Sequence, residues 1–165
     1  MLNRQTFLLY VRNFIFGAED SLVSTEGLLA GIASAGLERS NIVIAGVVLI
    51  FVEAFSMGVG SFLSQQTVEE YGKSGSISNR RSLKGGIIMF VSYFAAGFIP
   101  LLPYILLDAS AAFEVSIIAT LVALMFLGMI SARTLGTPLW RSGLRMLTIG
   151  GIAVIMGIVV GVLFK

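Results

Sequence analysis

The sequence contains neither cysteine nor histidine, and only 12% of its 165 residues are charged. Without those two side chains the chain has no disulfides, no zinc site of Cys and His ligands, no haem held by His and no Ser-His catalytic pair. Any metal ion must be held by oxygen atoms or by methionine sulfur. We therefore expect no resident cofactor and no enzymatic activity. The scarcity of charge also excludes an ordinary soluble domain, which needs more polar surface to cover its core.

Hydrophobic residues are abundant instead: they make up 56% of the chain, and the mean hydropathy is +0.95. Apolar runs recur at roughly 20 residues, the length that an α-helix needs to cross a bilayer of ~30 Å. Five runs predict an all-α, polytopic membrane protein with a single transmembrane domain over residues 1–165 and the lipid bilayer as its surroundings. The predicted helices cover residues 13–37, 41–66, 85–107, 113–132 and 144–164, with a polar cytoplasmic link over residues 67–84. Pro100 and Pro103 predict a kink or an early stop near the end of the third helix.

The basic residues flank the apolar runs and indicate how the chain is oriented. If the helices alternate in direction, Arg39 and Lys165 lie on one side of the membrane and all the other basic residues lie on the opposite side. That larger group consists of Arg4, Arg12, Lys73, Arg80, Arg81, Lys84, Arg133, Arg141 and Arg145. The positive-inside rule then predicts a cytoplasmic N-terminus and an external C-terminus. Since these residues form no patch with interleaved aromatic residues, we expect no nucleic-acid partner.

Four acidic residues fall inside the first two apolar runs: Glu19, Asp20 and Glu26 in the first, and Glu53 in the second. An acid at the centre of a membrane helix costs about 2.5–3.5 kcal/mol on insertion scales, so each of these needs a partner. Every lysine and arginine lies in a loop or at a helix end, so none is buried in the predicted helices to neutralise them. Protons or metal cations are therefore the expected counter-charges.

Spacing indicates which of these side chains could bind one ion. From the cytoplasmic ends of the predicted helices, Asp20 lies ~10 Å deep and Met57 ~13 Å deep, whereas Glu26 and Glu53 lie ~20 Å deep. A carboxylate oxygen beside a thioether favours Fe²⁺ or Mn²⁺ over Mg²⁺ and Ca²⁺. We therefore predict Asp20, Met57, Glu53 and Glu26 as metal-binding candidates, with core packing as the alternative role of Met57.

Helical periodicity predicts which faces of the first two helices meet. On the first helix one stripe contains Asp20, Ser24, Gly27 and Gly31. On the second helix a similar stripe contains Glu53, Met57, Gly60 and Ser64. Small residues in such stripes let a neighbouring backbone approach closely, so we expect the two stripes to face each other or a shared cavity. Glu26 lies nearly in line with Glu19, which directs both towards another helix or a second subunit.

Four segments of the chain resemble the vacuolar iron transporter family, in the order in which that family has them. They are RNFIFGAEDSLVSTEGLLAGIASAG, EAFSMGVGSFLSQQ, GFIPLLPY and LGMISAR. The resemblance implies a five-helix homodimer that exports Fe²⁺, and sometimes Mn²⁺, from the cytoplasm along a path between the subunits. It also implies that the residues at Asp20 and Met57 bind the metal and that protons move in exchange.

The chain departs from the family pattern at several places. Ser21 follows Asp20 where the family usually has glycine, and Ser61 replaces a usual acid. Leu49 stands where eukaryotic members carry an acid, and Glu53, one turn away, is a possible substitute. The glutamate-rich cytoplasmic domain of the best-known members is shortened here to the link.

The leading hypothesis is a transporter that exports Fe²⁺ or Mn²⁺ and exchanges it for protons. Burial makes a carboxyl hold its proton, and a divalent cation displaces that proton, so binding and proton release are linked. One alternative is a transporter of another divalent cation. The other is a membrane scaffold or accessory subunit, in which the glycine stripes are contact surfaces and the acids pair with a partner's basic residues.

Overall fold

The computed structural model describes residues 4–72 and 79–165, which form five α-helices and no strand. The helices are α1 (Arg4–Ser34), α2 (Arg39–Gly72), α3 (Asn79–Leu106), α4 (Ala109–Leu135) and α5 (Leu139–Leu163). This confirms the predicted all-α class and its five helices.

The helices extend past the predicted spans, mainly where the polar residues are. α1 begins at residue 4 instead of 13, and α2 ends at residue 72 instead of 66. α3 begins at residue 79 instead of 85, so much of the predicted link is helical, and residues 73–78 lie outside the described residues. The reason is that hydropathy marks only the part of a helix that lies in hydrocarbon, whereas backbone hydrogen bonding continues into the headgroup region.

α1 lies at the centre of the bundle and contacts all four other helices. α2 packs mainly against α3, and α5 packs against α1 and α4. Two buried apolar clusters lie along α1. The first contains Ala18, Leu22, Ala96, Leu124, Leu127 and Met146. The second contains Leu29, Ile42, Ile50, Leu101, Tyr104 and Ala112.

The glycines of α1 allow its backbone to touch that of α5. A Cβ atom added at Gly31 would lie 2.9 Å from the carbonyl oxygen of Gly157, and one added at Gly161 would collide with the backbone of Gly31. Gly27 likewise faces α5. Gly27 and Gly31 therefore do not face the second stripe, as was expected of the two stripes unless they share a cavity. Seven positions beyond Asp20, the first stripe has α5 as its neighbour. Gly60 of the second stripe has no atom of residues 4–72 or 79–165 within 4 Å of an added Cβ.

α3 continues through Pro100 and Pro103 to Leu106 and does not stop early. Its last turn is capped from outside the helix. The Nε atom of Arg39 donates a hydrogen bond to the Tyr104 carbonyl oxygen at 2.6 Å, and Nη2 donates to that of Ile105. Because the final carbonyls of a helix lack internal partners, this contact stabilises the end of α3 and joins it to the start of α2.

The helices α2 to α5 are long and apolar enough to cross a membrane. α1 carries Glu19, Asp20 and Glu26 in its middle, but it is 31 residues long and its partners surround it. Large apolar side chains point outward from the bundle, among them Phe55 (65% exposed) and Ile118 (62% exposed), as lipid surroundings favour. The chain is an integral, multi-pass membrane protein. We call the end that holds the starts of α1, α3 and α5 the basic end.

Candidate metal site

A hydrogen-bonded asparagine fixes how α1, α2 and α3 align at the basic end. Asn13 is 1% exposed, and its Nδ2 atom donates to Ser61 Oγ at 2.9 Å and to the Gly85 carbonyl oxygen at 3.0 Å. A Cβ atom at Gly85 would lie 2.9 Å from that nitrogen, so any larger residue would displace the amide from this position. The contact places Asn13 and Ser61 at the same level.

Farther into the bundle, α1 and α2 bring Asp20 and Glu53 together. The two carboxyl groups are close enough for their charges to repel each other, and both side chains are half-buried. The hydroxyl of Tyr93, a fully buried residue of α3, lies within the electrostatic reach of both. Ser24 Oγ lies 2.8 Å from that hydroxyl. We call Asp20, Glu53, Ser24 and Tyr93 the carboxylate site.

The backbone of α3 is fixed at this site by a second hydrogen bond. Ser21 is fully buried, and its Oγ donates to the Tyr93 carbonyl oxygen at 2.6 Å. A Cβ atom at Gly97, one turn along α3, would lie 2.8 Å from the same Oγ. Ser21 thus contributes an interhelical hydrogen bond at the position where the sequence departs from the Asp-Gly pair.

Met57 lies one turn of α2 from Glu53, towards the basic end, and is half-buried. Counted from the Asn13–Ser61 bond, Met57 lies ~6 Å into the bundle, Asp20 ~10 Å and Glu53 ~12 Å. On this count Asp20 lies between the other two and nearer to Glu53.

The carboxylate site offers hard oxygen ligands without a built-in positive charge. In the described ranges, the one ion pair within 4 Å joins Arg81 Nε and Glu69 Oε1 at 3.8 Å, at the ends of α2 and α3. No three His, Cys, Asp or Glu side chains of residues 4–72 and 79–165 converge in a way that could hold a metal ion. One chain therefore brings two carboxylates and two hydroxyl groups together, with a thioether one turn away.

Glu26 lies on another face of α1 and does not join the carboxylate site. It is fully buried against α4, where the hydroxyl of Ser116 and that of Thr120, at 3.2 Å, donate to its Oε2 atom. The Ser116 oxygen also lies 2.7 Å from the Pro100 carbonyl oxygen. Tyr104, fully buried on α3, lies within electrostatic reach of the carboxyl. The structure therefore separates Glu26 from Asp20, Glu53 and Met57.

Comparison with known proteins identifies the family. The model of the VIT family matches residues 11–84 and 66–162, which together cover most of the chain. The chain belongs to the VIT family. Members of the VIT family are membrane transporters of metal ions and not enzymes, in agreement with the predicted absence of catalysis.

Curated relatives agree with this membership. Vacuolar iron transporter 1 of Arabidopsis thaliana is 25% identical over 203 aligned positions, covering 87% of this chain and 81% of the relative. Vacuolar iron transporter 1 of Oryza sativa subsp. japonica is 26% identical, with the same two shares covered. The vacuolar iron transporter of Centaurea cyanus is 26% identical, covering 87% of this chain and 83% of the relative. Since the alignments are longer than 165 residues, these VIT proteins carry additional residues within the aligned region.

Sequence analysis missed the polar side chains that α3 and α4 contribute to this VIT chain. Tyr93 completes the carboxylate site, while Ser116 and Thr120 surround Glu26. The signal for the latter two was their spacing of four residues, which places both hydroxyl groups on one face of an otherwise apolar helix. Tyr93 gave no such signal, because aromatic residues are common in membrane helices.

Proposed function

We propose that this chain exports Fe²⁺, and also accepts Mn²⁺, from the cytoplasm in exchange for protons, with the carboxylate site and Met57 as its binding residues. The observation that carries the proposal is the approach of Asp20 and Glu53 with no lysine or arginine beside them in the described residues. Two adjacent acids in a membrane bundle need a cation, because desolvation and mutual repulsion both disfavour a pair of bare negative charges. Membership in the VIT family and the names of the relatives support iron as the cargo.

The ligand chemistry favours a transition metal. Carboxylate and hydroxyl oxygens suit Fe²⁺ and Mn²⁺, and the Met57 thioether discriminates against Mg²⁺ and Ca²⁺. When the metal arrives, protons on the two carboxyl groups leave, and they return when the metal departs. Proton exchange then follows from the same two side chains that bind the cargo.

A second copy of the chain would complete the ligand set. No three His, Cys, Asp or Glu side chains converge within one described chain, and Met57 is only half-buried in it. The neighbouring outer face of α2 is open: no atom of the described residues lies within 4 Å of a Cβ at Gly60, and Leu63, about one turn on, is 53% exposed. We propose a homodimer that places two such faces together around the ion path.

The proposed direction of transport requires the basic end to be cytoplasmic. Among the described residues, Arg39 and Lys165 lie at the opposite end, where Arg39 contacts the last turn of α3 and Lys165 lies beside Gly36. All the other basic residues that the structure describes belong to the basic end. The positive-inside rule then places the N-terminus of the chain in the cytoplasm.

Transport by purified protein in liposomes tests this function. Fe²⁺ or Mn²⁺ uptake under a pH gradient, with internal pH recorded at the same time, should show opposed metal and proton movement. Asp20→Asn and Glu53→Gln should each reduce uptake at least about tenfold, since each removes a charge that faces the ion. Glu114→Gln is the matched control because Glu114 is exposed at the start of α4. Uptake that survives in Asp20→Asn would contradict the assigned site.

Selectivity distinguishes the proposed cargo from another divalent cation. Met57→Leu keeps an apolar side chain of similar size and removes only the sulfur, so it should weaken the preference for Fe²⁺ over Mg²⁺ and leave the protein folded. A competition series with Mg²⁺, Ca²⁺, Mn²⁺ and Zn²⁺ against Fe²⁺ measures that preference. An unchanged order of competition would remove Met57 from the binding site.

A further inference from the structure

A polar cleft opens at the basic end between α1, α4 and α5, on the side of α1 away from the carboxylate site. Two adjoining cavities of about 340 and 290 Å³ share Ser131, Leu135 and Arg145 in their walls. Arg141 and the hydroxyl groups of Thr137 and Ser142 line the first. We call these two cavities together the basic cleft.

Positive charge predominates in the basic cleft. Arg12, Arg141 and Arg145 line it, and Glu19 is the one acid in its walls, so three positive charges against one negative charge leave a formal charge of +2. Glu19 lies close enough to Arg145 to interact with it electrostatically. Arg141 has no such acidic neighbour in the lining of the cleft. This excess of positive charge favours the binding of an anion.

The start of α5 adds neutral donors to the same wall. Pro138 precedes α5 and no side-chain hydrogen bond caps the helix, so the N–H groups of its first turn lack partners from a capping side chain. Thr137 Oγ1 and Ser142 Oγ lie 3.3 Å apart beside this turn. Guanidinium groups, hydroxyl groups and free N–H groups are the donors that bind a phosphate.

The other part of the basic cleft is apolar and lies along the membrane-facing surface. Leu8, Val11, Ile15 and Phe16 of α1 line it, and Phe16 is 50% exposed. Trp140, the single tryptophan of the chain, lies beside Arg141 at the start of α5 and is 67% exposed. Exposed tryptophan side chains concentrate at the level of lipid headgroups. The polar part of the cleft therefore lies at headgroup level, and the apolar side chains of α1 adjoin it on the lipid-facing side.

We propose that the basic cleft binds an anionic phospholipid, with the phosphate between Arg141, Arg145 and the start of α5 and an acyl chain along the apolar part. The charge surplus selects an anionic headgroup over a zwitterionic one. The adjoining apolar wall favours a lipid over a free anion. This site is separate from the carboxylate site, so the proposal does not depend on the transported ion.

Trp140 makes the proposal measurable in the intact protein. The chain is reconstituted in mixed phosphatidylglycerol and phosphatidylcholine vesicles in which either one lipid or the other carries brominated acyl chains, and quenching of tryptophan fluorescence is recorded. Brominated phosphatidylglycerol should occupy the cleft roughly tenfold more readily than brominated phosphatidylcholine. Arg141→Gln combined with Arg145→Gln should abolish this preference. Arg80→Gln combined with Arg133→Gln, which removes two exposed charges from the basic end outside the cleft, should preserve it.

Each of the following results would overturn the proposal. Equal quenching by the two lipids in the unmodified protein would exclude selection of an anionic headgroup. An equal loss in the Arg80 and Arg133 variant would show general attraction to the surface charge. If millimolar inorganic phosphate removes the preference, the site is occupied by a free anion. If the double glutamine variant does not fold, Arg141→Lys combined with Arg145→Lys replaces it. This variant keeps the charge and should retain the lipid preference. Complete loss of the preference in it would also contradict the proposal.

Discussion

Replacing Gly157 with alanine tests the backbone contact between α1 and α5. A Cβ atom there would lie 2.8 Å from the carbonyl carbon of Gly27 and still nearer to its oxygen. Backbone atoms cannot turn aside as a flexible side chain does, so the two helices must separate. Overpacking of this kind costs about 1–3 kcal/mol. We expect Gly157→Ala to lower the free energy of unfolding by that amount, before any gain in helix propensity.

Gly151→Ala is the matched control on the same helix. A Cβ atom at Gly151 meets only Leu121 Cδ2, at 3.9 Å, which is an ordinary van der Waals distance. Both substitutions gain the same helix propensity of up to about 1 kcal/mol, so the difference between the two variants isolates the contact. Unfolding by SDS in mixed micelles, followed by circular dichroism, measures that difference. If both variants unfold at the same SDS fraction, the close approach of α1 and α5 is refuted.

Substitutions at three further sites test other features of the fold by the same titration. Glu26→Gln keeps an acceptor for Ser116 and Thr120 and should unfold close to the unmodified protein, whereas Glu26→Ala leaves the Thr120 hydroxyl without its acceptor and should cost about 1–3 kcal/mol. The reverse order would contradict the described environment. Asn13→Ala removes two interhelical hydrogen bonds and should cost about 1–2 kcal/mol, and an unchanged midpoint would show that α1 is not held there. Gly36→Ala places a side chain at φ 81° and should cost about 1–2 kcal/mol. Ala35→Gly, the control beside it, adds no side chain and should not carry this cost.

The helices of this chain could be predicted from sequence, whereas their contacts could not. Hydropathy fixes where a helix lies in hydrocarbon, which is why all five appear. It does not report which neighbour a stripe faces. Gly27 and Asp20 share a stripe on α1, yet Gly27 contacts α5 while Asp20 approaches Glu53 on α2. A long helix at the centre of a bundle meets different partners along its length, and only the tertiary arrangement determines them.

The acids of α1 illustrate the same limit for the site. Periodicity correctly separated Glu26 from Asp20 by direction, and chemistry required a partner for each. The partners themselves, Tyr93 on α3 and the two hydroxyl groups on α4, come from helices distant in sequence. A polar residue that is costly to place in lipid indicates that it has a partner, but it does not identify that partner.

The central position of α1 has a consequence for how the protein is made. This helix precedes in the chain the helices that shield its acids, so it is synthesised before any of them. Alone at the translocon it would expose three carboxyl groups to lipid, each at a cost of about 2.5–3.5 kcal/mol. We therefore expect α1 to enter the bilayer stably only together with its partners, by joint insertion of a hairpin or larger unit instead of one helix at a time.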